Sequence, residues 1–112
     1  MFKPKTVHNK QKEIKMNQTN TYYLNTTKSL RKEQHHNPNG LFTVYYSYAT
    51  PVAFSVNGAT IVSENVWSRT TGKHLTQIDG GDKEARIPHD EFEKLYNKAR
   101  EVLYKAREIL YV

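Results

Sequence analysis

Seven consecutive residues, Ser68-Arg69-Thr70-Thr71-Gly72-Lys73-His74, form the densest polar cluster in the chain. Three hydroxyls, two cations and an imidazole at this spacing suit two kinds of chemistry. The first is anion binding. A helix that starts here presents free N–H groups and the positive end of its dipole, and Arg69 and Lys73 add full charges beside them. A phosphate or a carboxylate would be held. The second is nucleophilic catalysis, with the hydroxyl of Ser68 or Thr70 activated by His74. Thr70 and His74 are four residues apart and share a helix face. No third group that would orient the imidazole is evident, and a triad is defined by geometry rather than by a residue list. Spaced acidic pairs, glycine-rich phosphate loops and zinc signatures do not occur in the sequence. The expectation is a non-catalytic protein with no cofactor and an anion or nucleic-acid site at Ser68, Arg69, Thr70, Thr71, Lys73 and His74. The competing reading makes Ser68 and Thr71 helix caps and packs His74 against a sheet.

The elements around this cluster follow from local patterns. Thr71, His74, Leu75 and Ile78 have the spacing of one helix face, Ser68 or Thr70 can cap the start, and Gly80-Gly81 ends it. Gly72 costs this helix about 1 kcal/mol relative to Ala, so the helix depends on packing. Upstream, Asn57-Gly58 between two apolar runs signals a tight hairpin. The register that follows pairs Val56 with Ala59, Phe54 with Ile61, Val52 with Ser63 and Tyr48 with Trp67. Ala53 and Val62 fall on the opposite, partly apolar face. Pro51 cannot donate to a ladder and marks an edge, a bulge or a kink. A second hairpin at Asn37-Pro38-Asn39-Gly40 joins Thr21–Gln34 to Leu41–Tyr48. Phe42, Val44, Tyr46 and Tyr48 then share a face with Val52, Phe54 and Val56. Pro88 and the acidic residues Asp90, Glu91 and Glu93 open an amphipathic helix of about 24 residues, carrying Phe92, Leu95, Tyr96, Ala99, Val102, Leu103, Ala106, Ile109 and Leu110. The expected fold is α+β: a three-stranded antiparallel meander bent near Pro51, one short helix, and one long C-terminal helix packed on the sheet.

The segments Ser47-Tyr48-Ala49-Thr50-Pro51-Val52-Ala53 and Trp67-Ser68-Arg69-Thr70-Thr71-Gly72-Lys73-His74-Leu75 resemble those of a family of small phage and mobile-element proteins. That family carries S-Y-x-T-x-V-A followed by [WY]-S-x-T-T-x-[KR]-H-[IL]. The resemblance covers roughly residues 41 to 78. Ile78 stands near the place where the pattern often has an aromatic. The resemblance implies a mobile-element accessory protein and carries no settled activity with it.

Charge placement bears on the partner. The net charge is +6, and residues 1–40 hold all of the excess, with eight Lys or Arg against two Glu. Both remaining segments, 41–87 and 88–112, are balanced. Residues 1–20 are rich in Lys, Asn and Gln and lack periodicity, which predicts a disordered basic arm ahead of a single domain over 21–112. Lys3, Lys5, Lys10, Lys12 and Lys15 would contact nucleic-acid phosphates, and Tyr45 or Tyr48 would stack on unpaired bases if exposed, with core packing the favoured role of Tyr48. The alternative partner is a host protein, bound as an inhibitor or adaptor through a sheet edge or the helix stripe. The stripe also fits almost four heptads, which makes a homodimer through the C-terminal helix a further expectation. The absence of cysteine excludes a disulfide framework and thiolate metal sites, and fits a reducing cytoplasm, that of the host cell for a phage protein. No secretory leader and no membrane span are expected. His35-His36 point to opposite faces of an extended chain and predict an exposed hairpin tip rather than a metal site.

Overall fold

The computed structural model describes residues 18–38 and 40–111, with side chains as far as Leu103. The arm lysines Lys3, Lys5, Lys10, Lys12 and Lys15 lie outside the described residues. Among the described residues there are five strands: β1 Thr19–Tyr23, β2 Leu30–Asn37, β3 Gly40–Ser47, β4 Thr50–Val56 and β5 Ala59–Val62. They form one antiparallel meander in the order β1-β2-β3-β4-β5. Helix α1 spans Arg69–Asp79, a 3-10 turn spans Lys83–Ala85, and helix α2 spans His89–Tyr111. The α+β class and the long last helix agree with the expectation; the sheet has five strands rather than three.

Both additional strands arise at turns without an Asn-Gly signature. The segment expected as one strand from Thr21 breaks after Tyr23. Leu24 N–H returns to Leu30 O at 2.8 Å, and Asn25 Oδ1 accepts from Leu30 N–H. Lys28 takes the left-handed conformation there, φ 61°. The second break falls at Tyr48-Ala49, where Ser47 pairs with Thr50 and Tyr48 has φ 57°. A bulky residue at positive φ is uncommon, so sequence propensity favours a continuous strand. Tertiary contacts hold it instead: Tyr48 N–H donates to Ser29 O at 2.7 Å. Tyr48 therefore sits in a turn, is more than half exposed, and does not pair with Trp67. β1 also begins at Thr19, two residues inside the segment expected as the arm.

Pro51 marks a bulge. Tyr45 pairs with Ala53 but Tyr46 pairs with Pro51, so Val52 is the extra residue. A bulge residue leaves the strict alternation of its strand. Val52 accordingly packs with Ala53, Val62 and Leu75 rather than with Phe54. The Asn57-Gly58 hairpin has the expected register, with Val56 opposite Ala59 and Phe54 opposite Ile61. Asn57 does more than turn the chain. Its Oδ1 accepts from Leu41 N–H at 2.9 Å and lies where a Cβ on Gly40 would stand, so the tips of two hairpins meet at a position only glycine permits.

Each face of the sheet carries a helix. Phe42, Val44, Phe54, Phe92 and Leu103 form the core under α2, flanked by Tyr46, Ile61, Tyr96 and Ala99. Val52, Ala53, Val62 and Leu75 form the core under α1, flanked by Tyr45, Trp67 and Ile78. Phe92 is the pivot of the first core: its ring stacks on Tyr96 at 6.0 Å and meets Phe54 at 5.7 Å. His35 and His36 lie in β2, opposite Phe42 and Leu41, and not at the hairpin tip. Among the described residues no helix is long and apolar enough to cross a membrane, and no three His, Asp or Glu converge on a metal position.

Replacing Phe92 by Ala empties the centre of the α2 core and is expected to cost about 3–5 kcal/mol in urea unfolding. The exposed Val102→Ala is expected to change stability by less than about 0.5 kcal/mol. Equal losses at the two positions would show that α2 is not seated by Phe92.

Candidate functional site

Helix α1 sorts the predicted site residues onto two sides. Ser68 is its N-cap, in extended backbone, and its Oγ accepts from Thr71 N–H at 3.2 Å. Gly80 closes the other end in the left-handed conformation, its N–H on Thr76 O. Between these caps Thr71, His74 and Leu75 are buried against the sheet, while Arg69, Thr70, Lys73 and Thr76 are exposed.

The buried side is a chain of hydroxyls running through the imidazole. The Ser68 hydroxyl donates to Thr71 Oγ1 at 3.4 Å, and Thr71 Oγ1 lies 3.1 Å from Ser47 Oγ. Ser47 Oγ lies 2.7 Å from His74 Nδ1, and His74 Nε2 lies 3.2 Å from Ser29 Oγ. Ser29 in turn accepts from Asn25 Nδ2 at 2.9 Å and contacts Thr27 Oγ1. One assignment of protons satisfies every link. Thr71 donates to Ser47, Ser47 to Nδ1, and an Nε2–H tautomer of a neutral imidazole to Ser29. Burial supports the neutral form, lowering the His74 pKa from its ordinary 6.5 by desolvation. The Tyr48 ring covers the imidazole at 5.7 Å. His74 thereby ties α1 to the β1–β2 and β3–β4 turns at once, and Gln77 adds a bond from Nε2 to Leu24 O at 2.7 Å.

This arrangement separates the nucleophile candidates from the base. The Ser68 hydroxyl is turned to Thr71, Thr70 faces solvent, and neither is hydrogen-bonded to His74. The hydroxyl on the imidazole is Ser47, which is 2% exposed, beside a His74 that is 5% exposed. Ser47 and Ser29 were not legible as partners of His74, since they lie 27 and 45 residues away along the chain.

The exposed side of α1 faces an open groove of about 640 Å³, lined by Glu64, Asn65, Arg69, Lys73, Lys83 and Arg86 among others. Arg86 is engaged by Asp79 through two bonds of 2.7 and 3.0 Å. The Arg86 bonds hold the Asp79 carboxyl below its usual range, and Asp79 raises Arg86 in return. Arg69, Lys73 and Lys83 make no ion pair with another described residue. Sequence reading found Arg69 and Lys73 but missed Lys83, which the 3-10 turn brings in from ten residues beyond.

Gly72 forms the floor of the groove. A Cβ there would stand 2.9 Å from Asn65 Nδ2. Asn65 is held at both ends of its amide: Oδ1 accepts from Trp67 N–H at 3.0 Å and Nδ2 donates to Ser68 O at 2.9 Å. The glycine that weakens the helix in isolation thus admits the side chain that shapes the helix entry.

The chain belongs to a family of unknown function (DUF8033). The family's model matches residues 3–94, from the basic segment to the second turn of α2. Both ends of the Ser47–His74 contact and the groove cations Arg69, Lys73 and Lys83 therefore lie within the family's span. No curated protein and no solved structure matches the chain.

A histidine whose folded pKa lies below its unfolded value destabilises the fold once the unfolded chain takes up the proton. Stability is expected to be level above neutral pH and to fall as pH drops through about 6.5. Urea unfolding at neutral and mildly acidic pH, compared with His74→Gln, isolates this contribution. A dependence unchanged in the variant would remove His74 as its source. Gly72→Ala, which ordinarily stabilises a helix by about 1 kcal/mol, is expected to lower the melting temperature here because Asn65 must move. A higher melting temperature would mean that Asn65 swings aside freely.

Proposed function

We propose that this protein is a non-catalytic accessory protein of a phage or mobile element that binds nucleic acid in the host cytoplasm. The observation that carries the reading is the groove along α1, lined by Arg69, Lys73 and Lys83 beside Glu64, where the three cations form no ion pair with another described residue. Cations at such a surface attract a polyanion and release its condensed counterions. Ser68 and the first turn of α1 contribute the helix dipole beside them. The basic segment that holds Lys3, Lys5, Lys10, Lys12 and Lys15 would add affinity that is blind to sequence. Thr71 and His74 take a different role: they seat the helix rather than touch the ligand.

A second reading, an inhibitor or adaptor of a host protein, is favoured by one feature. An apolar recess of about 200 Å³ lies between the hairpin tips and α2, lined by Leu41, Phe42, Val56, Val102 and Leu103. The exposed side chains of Val56 and Val102 at its margin would suit a protein surface or the α2 stripe of a second copy.

The triple variant Arg69→Ala, Lys73→Ala, Lys83→Ala separates the readings. Binding to random duplex DNA at low salt is expected to fall more than about ten-fold, and the slope of log K on log salt to shrink by roughly 2.7, about 0.9 per lost contact. The melting temperature is expected to stay the same, because all three side chains are exposed. Unchanged affinity would remove the groove as the nucleic-acid surface and direct attention to the apolar recess.

A further inference from the structure

On the other side of the loop that walls the groove lies a second, smaller cleft. It has a volume of about 250 Å³ and is lined by Thr50, Trp67, Phe92, Glu93, Tyr96 and Asn97 among others. Glu64, Asn65 and Arg69 face the groove, while Trp67 from the same loop lines the cleft. One loop of six residues, held by Asn65, thus borders the groove through Glu64 and Asn65 and lends its indole to the cleft.

The cleft is a constructed one. Its rings form a ladder along α2, with His89 stacked on Phe92 at 6.2 Å and Phe92 on Tyr96 at 6.0 Å. Trp67 closes the end of the ladder, edge-on to His89 at 4.9 Å. His89 is fixed in turn. The Ser63 hydroxyl donates to Glu64 O at 2.8 Å and so accepts from His89 Nδ1–H at 3.2 Å, while His89 N–H donates to Glu64 Oε2. Glu64, a wall of the groove, therefore also anchors the helix that forms the cleft. At the open edge stand polar groups, the Asn97 amide, the Glu93 carboxylate and the Thr50 hydroxyl.

We propose that this cleft takes one unpaired nucleobase of a single strand whose phosphates lie in the groove. The inference rests on the nucleic-acid reading of the groove and specifies it as a preference for single strands. Aromatic walls with amide and carboxylate groups at the rim match the way unstacked bases are held, by ring contact and by hydrogen bonds to their edges. The volume lies below the roughly 300–1,000 Å³ of pockets for drug-sized ligands, which suits one heterocycle rather than a whole ligand. A duplex keeps its bases stacked and could occupy only the groove.

Trp67 is the sole tryptophan of the chain and reports on the cleft directly. The full-length protein is titrated at low salt with a short oligothymidylate, its abasic counterpart of equal charge, a duplex, and tetramethylammonium chloride. The oligothymidylate is expected to quench Trp67 emission and to bind about ten-fold more tightly than the abasic strand, the worth of about one stacked base. Asn97→Leu, which fills the cleft from its exposed rim, is expected to abolish this preference and leave abasic binding unchanged. Equal binding of the two strands with no quenching would overturn the cleft and leave the groove standing. Absence of binding to every polyanion would overturn both. Quenching by tetramethylammonium but not by the oligothymidylate would make the cleft a cation site and overturn the base assignment.

Discussion

The hydrogen-bond chain through His74 is the constraint on which the rest of the molecule depends. Helix α1 is short, starts at a glycine-containing turn and would not persist in water alone. Leu75 gives it one fully buried apolar anchor. What sets its position is the imidazole, bonded through Nδ1 to Ser47 at the end of β3 and through Nε2 to Ser29 beyond β1. A buried polar group without partners costs about 1–3 kcal/mol, so Ser47, Thr71 and His74, all three buried, each require the bonds they make here. The geometry allows one docking of the helix and fixes two turns whose own sequences specify them weakly. Tyr48 shows this most clearly, held at positive φ by Ser29 O on one side and covering the imidazole on the other.

With α1 fixed, its stripes have different fates. Thr71, His74, Leu75 and Ile78 face the sheet; Arg69, Lys73 and Thr76 line the groove, with Gly72 beneath them. Polar residues on the inner stripe stabilise, and cations on the outer stripe remain available. Conversion of Arg86 to a structural role follows the same division. Its bidentate pair with Asp79, nearly out of solvent, locks the end of α1 to the segment that enters α2. Deeper burial and a second, shorter bond distinguish it from the half-buried pair Arg31–Glu33, a single contact of 3.4 Å.

The loop between β5 and α1 connects the two surfaces. Ser63 and Ile87 form an isolated parallel bridge, and Glu64 N–H donates to Ile87 O, so this loop and the entry to α2 are stitched together. Asn65 then sets the backbone of Trp67 and Ser68. Residues of this one loop therefore line both the groove, through Glu64 and Asn65, and the cleft of rings, through Trp67.

By itself the sequence determined the parts governed by local rules. The Asn57-Gly58 turn set the register of β4 and β5, Ser68 and Gly80 bounded α1, and the periodicity placed Phe92, Tyr96, Ala99 and Leu103 on the face of α2 that meets the sheet, whereas Leu95 and Val102 of the same expected stripe are exposed. These are settled by turn chemistry, caps and hydrophobic spacing within a few residues. The number of strands followed from turns without an Asn-Gly signature: that at Tyr48-Ala49 is held by bonds from Ser29 and Arg31 elsewhere in the chain, while that at Leu24–Ser29 is closed by its own Leu24, Asn25 and Ser29 groups. Tertiary structure also decided that Val52 leaves the face of Phe54, through a bulge that the proline signalled without giving its direction. The polar cluster at 68–74 was visible as a cluster, and its division was not. Which side of a helix faces the protein depends on what lies opposite, and what lies opposite His74 comes from residues 27 and 45 positions away.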